Sequence, residues 1–179
     1  DISLLLPRHR LGRTHRVLTA EHSDVSHGGF VTVVAVDEGS TTVEVEVTAN
    51  TVRGFAGPTA QTEIPAMAPG ERRSFTLERF DVLNLETSGR GEDLSGTLVT
   101  ADKEVAVFSG SEAARVPRTD RCIVDQQVCE QDNTTYCSTD DDCSAFRGCC
   151  ADHLEEQVPP TELWGHNFVA TSTREGSVR

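Results

Sequence analysis

All six cysteines of this chain fall between Cys122 and Cys150, and the last two, Cys149 and Cys150, are adjacent. Clustered thiols either cross-link as disulfides or bind a soft metal, and spacing separates the two outcomes. No C-x-x-C pair occurs, and the successive spacings of 7, 8, 6 and 6 up to Cys149 fit no common zinc finger. The even, local set Cys122, Cys129, Cys137, Cys143, Cys149 and Cys150 therefore reads as three disulfides with the pairing left open. Zinc held by Cys149, Cys150 and His153 is the less favoured alternative. Little apolar content (Ile123, Val124, Val128, Phe146) is available to order this stretch. Each bridge would add about 2 to 4 kcal/mol by restricting the unfolded chain.

Four other groups of residues could do chemistry. Asp140, Asp141 and Asp142 cluster hard oxygen ligands suited to calcium, but the central glycine of an EF-hand loop is missing and a solvated acidic turn is the plainer reading. Asn133 heads the one N-glycosylation sequon considered, "NTT". Ser109 and Ser111 in "FSGSEA" lack the G-x-S-x-G setting of a nucleophile elbow. Asp152, His153 and Glu155 offer acid, base and acid, but as neighbours on a short helix they would point in different directions. Neither a phosphate-binding glycine loop nor an H-E-x-x-H motif occurs. The expectation is a protein that is not an enzyme and uses no cofactor.

What must position these residues is a β-rich scaffold. The 179 residues suffice for a proper core, aromatics make up only 5%, and the apolar stock is mostly Val, Leu and Ala. The formal charge of −13, from 16 basic and 29 acidic residues, repels phosphate backbones and anionic lipids, so neither nucleic acid nor bare membrane is an expected partner. All but one of the basic residues are arginines; Arg8, Arg10, Arg13 and Arg16, with His9 and His15, read as a solvated strand face. No apolar run reaches the roughly 18 residues of a membrane helix. The chain opens at Asp1, and "DISLLLP" is too short for a signal peptide, so a processed or excised segment is expected.

Strand signals recur every eight to twelve residues or so. "FVTVVAV" (30–36) and "TTVEVEVT" (41–48) flank "DEGS" and read as a hairpin, with Val43, Val45 and Val47 on one face. A turn at Pro69-Gly70 precedes a strand carrying Phe75 and Leu77 on one side. "FDVLNLE" breaks alternation between Val82 and Leu83, which predicts a bulge or burial on both faces. "GTLVTA" and "EVAVFSG" around "DK" read as a second hairpin, with "VAVF" (105–108) apolar on both faces as in a central strand. "DHLEEQ" (152–157) reads as a short helix stopped by Pro159-Pro160. The expected fold is an all-β antiparallel sandwich, or else a barrel or propeller-like array, with a disulfide-rich loop insertion.

A faint internal repeat sets "LLPRHRLGRTHRVLTA" from Leu5 against "VPPTELWGHNFVATST" from Val158 without a gap, pairing Pro7 with Pro160, Leu11 with Trp164 and Gly12 with Gly165. Trp164 is accordingly expected to pack in a core, as Leu11 would. The organisation read from the sequence is a β-domain over 1–117, a cysteine-rich acidic insertion over 118–151, and the start of a second repeat unit over 152–179.

The blocks "FVTVVAVDEGSTTVEV", "DLSGTLVTADKEVAVFSGSEAARVP" and "DHLEEQVPPTELWGHNFVATSTR" resemble the N-terminal domain of the IgG Fc-binding protein family, found in a mucus protein and in bacterial secreted or surface proteins. The resemblance spans about residues 4–117 and 150–179, with the cysteine-rich stretch as an insertion, and the chain looks like a bacterial secreted or surface member. Where the family pattern has a His and a Cys near the "FSG" turn, this chain has Ser111, Ala113 and Ala114. The resemblance implies a secreted or surface-displayed, non-catalytic module that recognises or adheres to an extracellular protein or glycan. The alternative is a structural subunit that assembles with other copies of itself by strand exchange into an extracellular polymer.

Overall fold

In the computed structural model, residues 4–22, 27–57, 62–114, 122–123, 126–129, 136–139 and 152–165 are described. A 3-10 turn at Arg8–Arg10 precedes β1 (Gly12–Arg16), β2 (Gly29–Ala35), β3 (Thr41–Glu46), β4 (Gly54–Ala56), β5 (Thr62–Ile64), β6 (Arg72–Leu77) and β7 (Val82–Glu86). There follow β8 (Leu98–Ala114), β9 (Cys122–Ile123), β10 (Val128–Cys129), β11 (Asp152–Gln157) and a second 3-10 turn at Thr161–Leu163. The all-β antiparallel class is as expected from the strand patterns.

β8 organises everything else. On one flank its C-terminal half pairs with β2 (Val31 opposite Ser109, Ala35 opposite Val105) and its N-terminal half with β3 (Val43 opposite Ala101, Glu46 opposite Leu98). On the other flank β11 takes the C-terminal half, Gln157 opposite Phe108, and β1 takes the N-terminal half, Gly12 opposite Val105. β7 lies outside β2 and β6 outside β3. The result is one seven-stranded antiparallel sheet in which every row except the continuous β8 is broken in the middle. At that break the sheet curls over, so valines from both halves (Val31 and Val33 of β2, Val43 and Val45 of β3, Val99 and Val107 of β8) meet in a single core. A bridge between Thr51 and Thr87, beyond the ends of β3 and β7, ties the curled halves together. Each buried valine contributes about 1.5 to 3 kcal/mol relative to exposure, and this shared core supplies the force that holds the curl.

Four expectations change. The two hairpins do not form: β2 and β3 lie end to end along the same flank of β8, and "GTLVTADKEVAVFSG" is one continuous strand. The polar "DK" marks the fold line instead of a reversal. There Asp102 Oδ1 accepts from Thr42 N–H at 2.8 Å, and Lys103 Nζ donates to Glu38 O at 2.8 Å. The bulge at Val82-Leu83 is absent, since β2 and β7 keep register from Phe30–Glu86 to Val34–Val82 and Val82 simply faces solvent. Finally, "DHLEEQ" is the strand β11 and not a helix. Its helix-favouring residues are overridden because β8 offers a full ladder of partners, which an isolated two-turn helix could not match.

The described part of the cysteine-rich insertion is the two-stranded ribbon of β9 and β10, closed by a Cys122–Cys137 disulfide with S–S 2.05 Å. These two half-cystines form a small cluster of their own, apart from the main core.

Candidate functional site

An open, apolar groove lies where β11 and the segment after β1 flank the C-terminal half of β8. Its floor is Ser109, Gly110 and Ser111; its walls are Leu18 to Ala20 on one side and Leu154 to Pro159 with Trp164 on the other. The volume is about 460 Å³, within the range of ligand and peptide clefts. Three large apolar side chains stand open on its walls: Leu18 is 75% exposed, Leu154 44% and Trp164 44%.

Both walls are held from behind. Leu18 O accepts from Ser109 Oγ at 2.8 Å. Thr19 is a hub: its hydroxyl donates to Asp93 Oδ1 at 2.7 Å and accepts from Leu94 N–H at 3.0 Å, while its carbonyl accepts from Ser95 Oγ at 3.1 Å. The opposite wall is fixed by the β11 ladder and by Val158 N–H, which donates to Val107 O at 2.8 Å. Trp164 Nε1 donates to Pro159 O at 3.3 Å, which turns the indole toward the groove. Ser111 Oγ, fully buried in the floor, has no hydrogen-bond partner among the described residues. Among those residues β11 pairs with β8 alone.

The residues singled out in the sequence distribute differently from a catalytic centre. The Ser109 hydroxyl is committed to Leu18 O, and among the described residues Ser111 has no base within hydrogen-bond reach. The strand, unlike the expected helix, brings His153 and Glu155 to one face, with Nε2 and Oε2 3.6 Å apart and both side chains near half-exposed; Asp152 lies across a register irregularity from Leu154. His153 stacks on Phe30, ring centroids 5.7 Å apart. Arg8, Arg10, Arg13, Arg16 and His9 are solvent-facing as expected, and Arg8 pairs with Asp37. His15 departs from the group: it is 1% exposed, and burial lowers its pKa to about 4 although the Glu162 carboxylate pulls the other way. For Glu162 burial works to raise the pKa, but its own and Arg13's N–H groups and His15 hold it below the usual carboxylate value. Trp164 is not in the core.

Cys122 and Cys137, being bonded to each other, are not zinc ligands. Asn133, Asp140, Asp141, Asp142, Cys143, Cys149 and Cys150 lie outside the described residues, as does the Cys129 side chain. Among the described residues no group of three or more His, Cys, Asp or Glu is placed to hold a metal ion, and no helix is long and apolar enough to cross a membrane. The groove itself escaped sequence reasoning. Leu18 directly follows the core residue Val17 and Leu154 stands among charged residues, 136 positions further on, and only the sheet brings them together.

A β-scaffold that carries an exposed apolar groove has the form of a binding module. The chain belongs to the IgGFc binding protein family, whose family model matches residues 1–179. It is 29% identical over 169 residues to the human protein named IgGFc-binding protein, an alignment that covers 94% of this chain and 2% of that protein. The chain thus spans a small fraction of the length of this curated relative. No solved structure matches it.

Proposed function

We propose that the chain is a secreted or surface-displayed, non-catalytic recognition module, and that the groove beside β11 grips an extended apolar segment of a protein partner. The observation that carries this reading is the juxtaposition of Leu18, Leu154 and Trp164, all exposed, along the strand β11. An added strand would place alternate side chains in the groove and its backbone on β11. The apolar lining favours a protein segment over a glycan, which needs a larger share of polar partners. The Cys122–Cys137 bond supports an oxidising, extracellular setting, and the reading involves no cofactor. The relative's name makes the Fc part of immunoglobulin G the first partner to try.

Panning a random linear peptide library on the chain, with the Leu154→Asp and Leu18→Asp variants as counter-selection, tests this. Peptides apolar at alternate positions should be enriched on the parent and lost on the variants, whose circular dichroism stays that of the parent. Enrichment that is equal on all three sinks the groove.

A second reading, a structural subunit that takes a strand from another copy, is favoured by the pairing of β11 with β8 alone among the described residues. Light scattering separates the two, with monomers for the recognition module and a concentration-dependent ladder for the polymer.

A further inference from the structure

The backbone of Pro7–Leu11 recurs in Pro160–Trp164. Pro7 stands before the first 3-10 turn at φ −67°, ψ 153°, and Pro160 before the second at φ −65°, ψ 151°. The hydrogen bonds match one for one. Arg10 N–H donates to Pro7 O at 2.8 Å and Leu11 N–H to Arg8 O at 3.1 Å; Leu163 N–H donates to Pro160 O at 3.0 Å and Trp164 N–H to Thr161 O at 3.1 Å. Both turns end in extended backbone, at φ −70° for Leu11 and φ −69° for Trp164. The sequence repeat pairs these same residues without a gap, with proline at the start, an apolar residue at Leu11 and Trp164 and glycine after it, so the repeat and the backbone geometry fall in the same register.

The second copy is seated on the first. β11 follows the flank of β8 as far as Val158 opposite Val107, and at Val105 the same flank passes to Gly12 of β1. The chain leaves the flank through Pro159-Pro160 at the point where the first copy's strand takes over. The Pro160 ring covers Gly12 so closely that a Cβ there would stand 2.3 Å from Pro160 Cβ and 2.8 Å from Cγ. Around this contact Arg13 N–H donates to Glu162 Oε1 at 3.2 Å, and Thr161 Oγ1 donates to Thr14 O at 3.3 Å. Leu11 shares a hollow with Val36, Phe80, Ala106 and Phe108 of its own unit, whereas its counterpart Trp164 is half-exposed.

We propose that Val158–Gly165 is the lead-in of a second β-unit of the same kind, and that proline on glycine is the joint by which such units are strung head to tail in one polypeptide. Pro7 would cover the corresponding glycine of a unit before, and Gly165 would receive the proline of a unit after. A contact between two different surfaces does not close on itself and propagates as an open string. Trp164 would gain in its own unit the bed that Leu11 has.

The test is a duplicated chain in which Leu5–Gln157 is repeated once ahead of Val158, so that the first unit runs through its β11 into a second Leu5–Gly12. Two folded units with one fixed spacing in small-angle scattering are expected, along with a junction that resists trypsin at the second copies of Arg8 and Arg10. Gly12→Val in the first unit alone should leave both units folded but loosen the joint, speeding cleavage there by about tenfold. The proposal is overturned if the junction is cut equally fast with and without Gly12→Val, if scattering shows freely moving beads in both, or if the duplicated chain aggregates while the single chain stays monomeric.

Discussion

The carbonyl oxygen of Leu154 passes directly over Gly110, so that a Cβ on residue 110 would stand 1.7 Å from it. The contact lies where Gly110 stands opposite Glu155, just past the irregular step between Asp152 and Leu154 in the β11–β8 ladder, and the missing Cβ lets β11 approach β8 there. Gly110→Ala should therefore release β11 from β8 or destabilise the protein by several kcal/mol, since the clash is with backbone and not with a side chain that can turn away. Hydrogen exchange at the β11 amides reads this directly, and unchanged protection there would count against the described ladder.

His15 makes stability depend on pH. Its folded pKa of about 4 lies below the 6.5 of a free histidine because it is buried. As pH falls from about 6.5 to about 4, the unfolded chain takes up a proton that the folded chain refuses. Stability is therefore fully present above that window and is lost on going down through it, by on the order of 3 kcal/mol. Urea unfolding at pH 7 and pH 4.5 should show the loss in the parent and a smaller one in His15→Gln. An identical drop in both would assign it to another group.

Phe80 sits in the β6–β7 turn at φ 69°, a conformation bulky residues avoid, with its ring exposed and Arg79 stacked over it at 4.5 Å. Asparagine tolerates that backbone, whereas a β-branched residue does not. Phe80→Asn should thus be at least as stable as the parent, and Phe80→Val less stable by about 1 kcal/mol. Thermal unfolding decides; the reverse order would contradict the left-handed assignment.

Because the Cys122–Cys137 pair forms a cluster separate from the main core, replacing both with alanine should loosen the ribbon without unfolding the sheet. The bond closes a loop of sequence separation 15, worth about 3 kcal/mol to the segment it ties. Protection of the Cys137 amide, which donates to Gln127 O at 2.9 Å, should vanish while that of β2 and β8 persists. Loss of the whole fold would show that the insertion is part of the core after all.

The strand residues themselves were legible. Val43 and Val45 alternate with glutamates because one face is wet, and Val105 to Val107 read as central because both neighbours of β8 cover them. The connections were not. "DEGS" and "DK" carry ordinary turn chemistry, yet the first joins two strands laid end to end and the second is a fold line within one. "DHLEEQ" has helical residues in a strand, since pairing with β8 outweighs its local preference. The groove was illegible for the same reason: Leu18 and Leu154 become neighbours only across the sheet.

By itself the sequence determined the β class and the echo of Pro7–Gly12 in Pro160–Gly165, because alternation, composition and short-range turn geometry are properties of adjacent residues. Tertiary structure alone decided which strands lie side by side, where the sheet folds, that His15 is buried among exposed arginines, and that Pro160 rests on Gly12. Those outcomes depend on contacts between residues far apart in the chain, whose free energy appears only once the valines of both halves share one core.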